Sequence, residues 1–355
     1  MLLHGIIPPI TTPFYPDGAV YYKKLEHNVE RYSRTPASGM VVLGSTGEAI
    51  LLSDEERRGV LKVARAAAAP NKVLIAGTGI ESAVETLRLT EYAAELGYDL
   101  ALVRTPHFYR KQMLPANLLA FYRFVADRSP LPVLLYNVPP FTAYDMPAEI
   151  VIELAGHPNI FGIKESSGDV EKIRALVAAT KHVKRWATVT ETFEAVTPRM
   201  LQAAEATTDS GGELVQLGVR SGESKISSAA INVVSGIKTR KKEIGFQVLA
   251  GAAQKLEPSL EAGAVGAVLG FASAAPTACY EVYAAFKEGD SELTRIKQQR
   301  IAAAAVRVGG ELGIPGLKHA MDLNGYYGGP GRLPFLPLTA ELKAEVERLM
   351  AEIRN

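Results

Sequence analysis

A lysine, a tyrosine and a serine–threonine pair stand at the ends of three short apolar runs. Lys164 closes Ile160-Phe161-Gly162-Ile163. A lysine inside such a run is not free to reach bulk water. Desolvation disfavours its ammonium form, so the neutral amine becomes accessible, and a neutral amine in a dry pocket can attack a carbonyl to form a Schiff base. Tyr136 ends Val133-Leu134-Leu135 and offers a phenol that can shuttle a proton. Ser45 and Thr46 follow Val41-Val42-Leu43 and offer hydroxyls that can relay it. Gly44 and Gly47 let the backbone approach a small anion closely, so a substrate carboxylate could rest on local N–H groups. Each residue also has a plainer reading: a strand-end lysine that snorkels, a packed tyrosine, a turn. Their joint occurrence at strand ends points to imine chemistry.

Such residues need a scaffold that brings strand ends together. The apolar runs at Gly5 to Phe14, Gly39 to Leu43, Val73 to Gly77, Leu100 to Val103, Val133 to Val138, around Lys164, Gln247 to Gly251 and Ala264 to Gly270 read as eight strands. Helices alternate with them. Ser53 with Glu56 and Ser82 with Glu85 form capping-box patterns, Pro147 opens a helix in its first turn, and Asp169 caps another. This alternation predicts an α/β fold, a closed (β/α)8 TIM barrel whose reactive residues come from the C-terminal strand ends. An open doubly wound sheet is the alternative, but no Gly-x-Gly-x-x-Gly follows the first strand. The barrel is expected over residues 1–275, and the last barrel helix with a C-terminal helical bundle over 276–355. Breaks are expected at Gly313 to Gly316 and around Gly325 to Pro334. An insert at about 184–242 separates helix six from strand seven, where about 2–6 residues are usual. Within it, Glu191 to Ala206 reads as helix interrupted by Pro198, Asp209 to Gly212 as a loop, and the basic Lys238 to Lys242 as solvated loop.

Composition narrows the partners. The 355 residues carry a net charge of +1, which speaks against nucleic acid or an anionic membrane. One cysteine, Cys279, rules out an internal disulfide and fits a reducing, cytoplasmic setting. Met1 to Gly5 lacks the basic and apolar regions of a leader, so none is expected. Six histidines lack metal-ligand spacing, so no metal and no cofactor is expected. Lys318, the rival lysine, is expected on the surface of a tail helix. Glu165 should face away from Lys164, because side chains alternate along a strand, and should pair with a helix.

The motifs Gly44-Ser45-Thr46-Gly47-Glu48, Tyr136-Asn137-Val138-Pro139 and Gly162-Ile163-Lys164-Glu165 resemble those of the dihydrodipicolinate synthase / N-acetylneuraminate lyase superfamily of class I aldolases. The resemblance covers nearly the whole chain apart from the insert. It implies a homotetramer of barrels, a pyruvate Schiff base on Lys164, Tyr136 as proton donor and acceptor, and a pyruvyl carboxylate held at Ser45 and Thr46. In the synthases an arginine after the tyrosine motif holds the carboxylate of the aldehyde. Phe141 stands there in this chain, and a phenyl ring cannot replace a bidentate clamp. The family also draws a relay tyrosine from a neighbouring subunit. Phe108 occupies that position, which leaves Tyr109, next door, as the candidate.

The C-terminal motifs, Gly313 to Lys318 and Gly325 to Pro330 among them, are most similar to 4-hydroxy-2-oxoglutarate aldolases, although those carry Asn where this chain has Thr46. The expected function is therefore a Schiff-base lyase acting on a small 2-oxo acid, of that aldolase type. The alternatives are 4-hydroxy-tetrahydrodipicolinate synthesis and a non-catalytic pyruvate-binding or assembly barrel.

Overall fold

The apolar runs pair side by side. The computed structural model describes residues 1–190, 194–202, 232–234 and 237–353. Its strands, in chain order, are β1 (Gly5–Ile6), β2 (Gly39–Val42), β3 (Val73–Gly77), β4 (Leu100–Arg104), β5 (Val133–Asn137), β6 (Ile160–Glu165), β7 (Arg185–Thr190), β8 (Asn232–Val234), β9 (Ile237–Ile244), β10 (Gln247–Ala250) and β11 (Gly266–Ala267). Eight of them form one parallel sheet in the order β1-β11-β10-β6-β5-β4-β3-β2. Its edges meet: Ile10 N–H donates to the Val41 carbonyl at 2.9 Å, and Val41 N–H to that of Pro8 at 3.0 Å. The sheet is therefore a barrel. Strand one is far shorter than Gly5 to Phe14, because Pro8, Pro9 and Pro13 supply no N–H to a ladder.

Both faces of the strands are buried, which is why they read as unbroken apolar runs. Val41, Ile75, Leu100, Leu102, Leu134, Leu249 and Val268 fill the barrel interior with Tyr136. Leu74, Ala101, Val103, Leu135, Ile163 and Val248 pack outward in a second core with residues of the surrounding helices. At Gly162 a Cβ would lie 2.1 Å from the Gln247 carbonyl oxygen, so a glycine there lets β6 lie close to β10.

The predicted caps largely form. Ser53 and Glu56 complete both halves of a capping box before helix Asp54–Ala67. Ser82 makes the forward half, accepting from Glu85 N–H at 3.3 Å. Asp169 accepts from the N–H groups of Glu171 and Lys172. Pro147 stands just outside helix Ala148–Ala155, as its cap.

The insert region departs from expectation. β7, β9 and β8 form a separate antiparallel sheet. Lys238 to Lys242 lie within β9 rather than in a solvated loop. Their partner strand explains the difference: β7 supplies Thr188, Val189 and Thr190 as cross-strand neighbours, and Lys241 Nζ donates to Thr188 Oγ1 at 3.1 Å. Ala187, Val189, Met200 and Ile244 share an apolar cluster with Leu3, Val73 and Leu100, so this sheet closes the N-terminal end of the barrel. Residues 198–202 are helical, and Pro198 begins that turn instead of interrupting it. The loop expected at Asp209 to Gly212 lies outside the described residues.

After helices Pro276–Glu288 and Ser291–Ala304 the chain passes through a π-helical turn, Ala305–Glu311, into helix Gly313–Leu323. Gly313, at φ +59°, marks the bend, but Ile314, Pro315 and Gly316 continue the helix rather than break it. Among the described residues no helix is long and apolar enough to cross a membrane.

Arg332 ties the C-terminal tail to the front of the barrel. It donates to both Glu56 carboxylate oxygens at 2.6 and 2.8 Å, to Leu51 O at 2.8 Å and to Gly18 O at 2.5 Å. That fork holds the Glu56 carboxyl down at about 2. A depressed carboxyl contributes stability above its ordinary value near 4.5 and loses it as pH falls towards about 2. Chemical denaturation between pH 5 and pH 2 should therefore show a shallower loss of stability in Glu56→Gln than in the parent; parallel curves would refute this tether.

Candidate active site

Parallel register does the first part of the assembly. Arg104 on β4 pairs with Tyr136 on β5, and Tyr136 pairs with Lys164 on β6. Matched positions on neighbouring parallel strands point to the same side of the sheet, here the barrel interior. Lys164 is 4% exposed, and its Nζ lies 4.0 Å from the centroid of the Tyr136 ring. The amine lies against the ring, and one water could link it to the phenol oxygen. Among the described residues no carboxylate pairs with it. Glu165, next in sequence, faces the opposite way: it accepts from both Asn137 Nδ2 and Ser167 N–H and lies 3.5 Å from Lys172 Nζ.

The hydroxyl comes from the loop after β2. Ser45 Oγ lies 3.2 Å from Tyr136 Oη. Thr46 is buried beside it and points elsewhere: a methyl placed on Gly270 would lie 3.7 Å from its Oγ1. Ser45–Gly47 is a single 3-10 turn, closed by Gly47 N–H to the Gly44 carbonyl at 3.0 Å. Its first N–H groups, those of Ser45 and Thr46, have no intrahelical acceptor. They are suited to an anion.

This loop is strained. Leu43 and Glu48 both adopt the left-handed conformation, at φ 61° and 55°. Such positions cost about 1–3 kcal/mol each and persist only where the surroundings over-determine them. Thr12 Oγ1 donates to the Gly47 carbonyl at 2.6 Å. The Glu48 carboxylate meets Lys318 Nζ at 2.6 Å and accepts from Arg332 N–H at 2.8 Å. Lys318 is thus not the expected surface lysine. It is 1% exposed and donates to the carbonyls of Thr12 and Pro330 at 2.9 and 2.8 Å. Burial pulls its pKa below the ordinary lysine value, and the Glu48 charge opposes that shift. Lys318 and Lys164, both buried, differ in their partners: Lys318 is locked into an ion pair, while Lys164 has no ion pair among the described residues.

A cavity of about 360 Å³ opens above these groups. Gly44, Ser45, Tyr136 and Phe141 line it; Lys164 is not a lining residue and reaches it only through its contact with the Tyr136 ring. Phe141 stands at the rim on the short helix Pro139–Thr142 and is 66% exposed. Tyr109 and Phe108 do not line the cavity of their own chain. They lie 65% and 76% exposed, edge to face with centroids 5.0 Å apart. Sequence reasoning missed Arg104, His107, Ile314 and Phe335, which also line the cavity. Arg104 had a signal: it extends the inward alternation Leu100, Leu102 by one step. Ile314 and Phe335 had none, because only the packing of the tail brings them there.

A parallel barrel with a buried strand-end lysine against a tyrosine, and a hydroxyl-bearing loop over both, has the layout of the class I, imine-forming aldolases. The chain belongs to the Dihydrodipicolinate synthetase family, whose model matches residues 2–203 and 225–353. It is 28% identical over 354 residues to a 4-hydroxy-tetrahydrodipicolinate synthase of Methanothrix thermoacetophila, covering all of this chain and 98% of that one. A stronger but shorter match, 45% over 178 residues, is to the enzyme of the same name from Xanthomonas axonopodis pv. citri. That match covers half of this chain and 58% of the relative's length. The fold superposes on the chloride-inhibited dihydrodipicolinate synthase of Acinetobacter baumannii in complex with pyruvate, with a TM-score of 0.76, 27% identity and 99% coverage of each chain. A Bacillus anthracis dihydrodipicolinate synthase superposes at 0.77 with 22% identity, covering 100% of each chain.

Breaking the buried pair from one side should be costly. Lys318→Met strands the Glu48 carboxylate and should lower the unfolding free energy by about 3–5 kcal/mol. Adding Glu48→Gln should restore part of it. Urea denaturation of the three proteins measures this, and additive losses would refute the coupling.

Proposed function

We propose that this protein forms a Schiff base between Lys164 and the 2-oxo carbon of pyruvate and makes or breaks a carbon–carbon bond to an aldehyde. The observation that carries this reading is the buried Lys164 amine, without an ion pair among the described residues and 4.0 Å from the centroid of the Tyr136 ring, whose hydroxyl in turn meets Ser45 at 3.2 Å.

The chemistry follows from the layout. The free amine adds to the keto carbon and water leaves. The iminium then acts as an electron sink, so carbon three can lose a proton and become the nucleophilic carbon of an enamine. In the condensing direction that carbon attacks the aldehyde, and Tyr136 donates a proton to the forming alkoxide. In cleavage Tyr136 takes the hydroxyl proton, the bond between carbons three and four breaks, and the enamine is protonated and hydrolysed. The Ser45 hydroxyl relays the proton, and the N–H groups of Ser45 and Thr46 receive the pyruvyl carboxylate between Gly44 and Gly47.

Direction and aldehyde divide two finer readings. The names of the relatives favour condensation, as in a 4-hydroxy-tetrahydrodipicolinate synthase. This displaces the expectation of a 4-hydroxy-2-oxoglutarate aldolase from first place. Phe141 keeps that lyase as the second reading, because position 141 brings no guanidinium to the cavity rim. A homotetramer, with Tyr109 of a neighbouring copy completing the proton relay, is part of the same proposal. Exposed Phe108, Tyr109 and Leu114 on one stretch support it as a contact surface.

Borohydride added with pyruvate should fix a reduced adduct on the parent protein, mapped by mass spectrometry to Lys164. Lys164→Ala should lose adduct and turnover together; an adduct that survives in the variant refutes the assignment. Tyr136→Phe should keep the adduct but lower turnover by ~10²–10⁴. Absence of any adduct on the parent would favour a non-catalytic barrel.

A further inference from the structure

The barrel end away from Lys164 holds a second cavity, of about 750 Å³, which the chemistry above does not use. We propose that it is a binding site for a small organic anion carrying at least two negative charges, held between the N-terminal rim of the barrel and the sheet of β7 to β9. This inference stands apart from the Schiff-base reading.

Topology builds the site. His4, Ser38 and Lys72 line the cavity, and each is the residue immediately before a strand: β1, β2 and β3 in turn. In a parallel barrel those positions share the N-terminal rim, opposite the strand ends that carry Tyr136 and Lys164. Helix Pro276–Glu288 supplies one wall through Tyr280, Tyr283 and Lys287, which their i, i+3, i+7 spacing sets on one face. Val196 and Met200, beyond β7, line it from the side of the insert. Its volume lies within the range of about 300–1,000 Å³ that takes a small-molecule ligand. The two tyrosine rings, Val196 and Met200 give an organic body an apolar surface.

The charge on these walls is one-sided. Lys72 is 8% exposed, and its Nζ donates to the carbonyls of Thr35 at 2.8 Å and Ala37 at 2.7 Å. An ammonium has three donors, and no third acceptor meets this one among the described residues. Lys287 stands exposed on the wall, without an ion pair among the described residues. β9 adds charge of the same sign. Its Arg240 and Lys242 pair across strands with Val189 and Ala187, both buried, so the two cations lie on the barrel side of their sheet. Glu194 is the one carboxylate on the described walls; it is exposed, and no ion pair joins it to Lys72 among the described residues.

The buried groups feel this excess. Ser38 Oγ donates to the His4 carbonyl at 2.5 Å and fixes that residue, whose ring Nδ1 is buried without a hydrogen-bond partner among the described residues. Burial first, then Lys242 and Lys287, pull the imidazole down to about 4. Burial also lowers Lys72, with Glu194 opposing, and Lys242 is lowered by burial, Lys287 and Arg240. Cations that repel one another around an apolar-walled space raise the local concentration of anions there. The lining cations are ammonium groups, which act as point charges without the planar fork of arginine and so suit phosphate and carboxylate alike.

Isothermal titration calorimetry of the full chain tests this, with pyrophosphate as the phosphate probe and citrate as the carboxylate probe at low ionic strength. At least one of them should bind at a single site per chain, and the tighter one names the group preferred. Lys72→Met should weaken binding by about 10²-fold and Lys287→Glu by about 10-fold. Lys287 is exposed, so its variant keeps the test open if Lys72→Met fails to fold. Lys343→Glu makes the same charge change at an exposed position on helix Ala340–Met350, which lines neither cavity, and should leave binding unchanged. A bound anion favours the imidazolium, so His4 should titrate above about 4 in NMR, with His4→Gln assigning the signal. Pyruvate and the anion should bind together, since their cavities lie at opposite ends. The site is refuted if neither probe binds at millimolar concentration, if Lys343→Glu weakens binding as much as Lys287→Glu, if the His4 titration does not move, or if pyruvate displaces the anion.

Discussion

Register across three parallel strands is the constraint on which this site depends. β4, β5 and β6 align Arg104, Tyr136 and Lys164 side by side on the inner face. A slip of one residue would turn each of them outward into the helical layer. The slip is prevented by what surrounds them. Leu102, Leu134 and Leu249 fill the interior below, while Val103, Leu135 and Ile163 pack outside, so both faces penalise a shift. Reactive groups are held to place by apolar residues that take no part in chemistry.

The loop over this row is fixed by different means. Packing alone would not keep Leu43 and Glu48 left-handed. Hydrogen bonds from Thr12 and Arg332 and the Glu48–Lys318 ion pair do so, and they connect the loop to the C-terminal tail. An ion pair this deeply buried contributes little net stability against an apolar substitute. Its value is geometric: it holds a strained turn whose serine reaches the tyrosine. The tail is therefore part of the site. It braces the carboxylate loop through Lys318 and Arg332 and supplies Ile314 and Phe335 to the cavity wall.

The two ends of the barrel have separate tasks. The C-terminal end carries the cavity, the amine and the exposed aromatic residues Phe108, Tyr109 and Phe141. The N-terminal end is closed by the sheet of β7 to β9, whose apolar residues join the interior cluster. Family membership accounts for the first end.

Much was legible in the sequence, and the rest had identifiable reasons for being hidden. Strand positions, the capping of Asp54–Ala67 and the facing of Lys164 against Glu165 follow from local pattern: a buried parallel strand must be apolar on both faces, a first turn must cap its N–H groups, and side chains must alternate. The lysine, tyrosine and serine could be named because they interrupt such runs. Lys238 to Lys242 misled, since a run of cations says nothing about the strand beside it. Lys318 misled for a related reason: whether a lysine is exposed depends on a carboxylate 270 positions away in the chain, and Glu48 shows its left-handed turn only in three dimensions. The sequence by itself determined the barrel and the kind of chemistry, because periodicity and residue type are local properties. Tertiary structure decided which buried lysine lies against a tyrosine and which is locked to a carboxylate, because pairing and burial depend on contacts between distant segments.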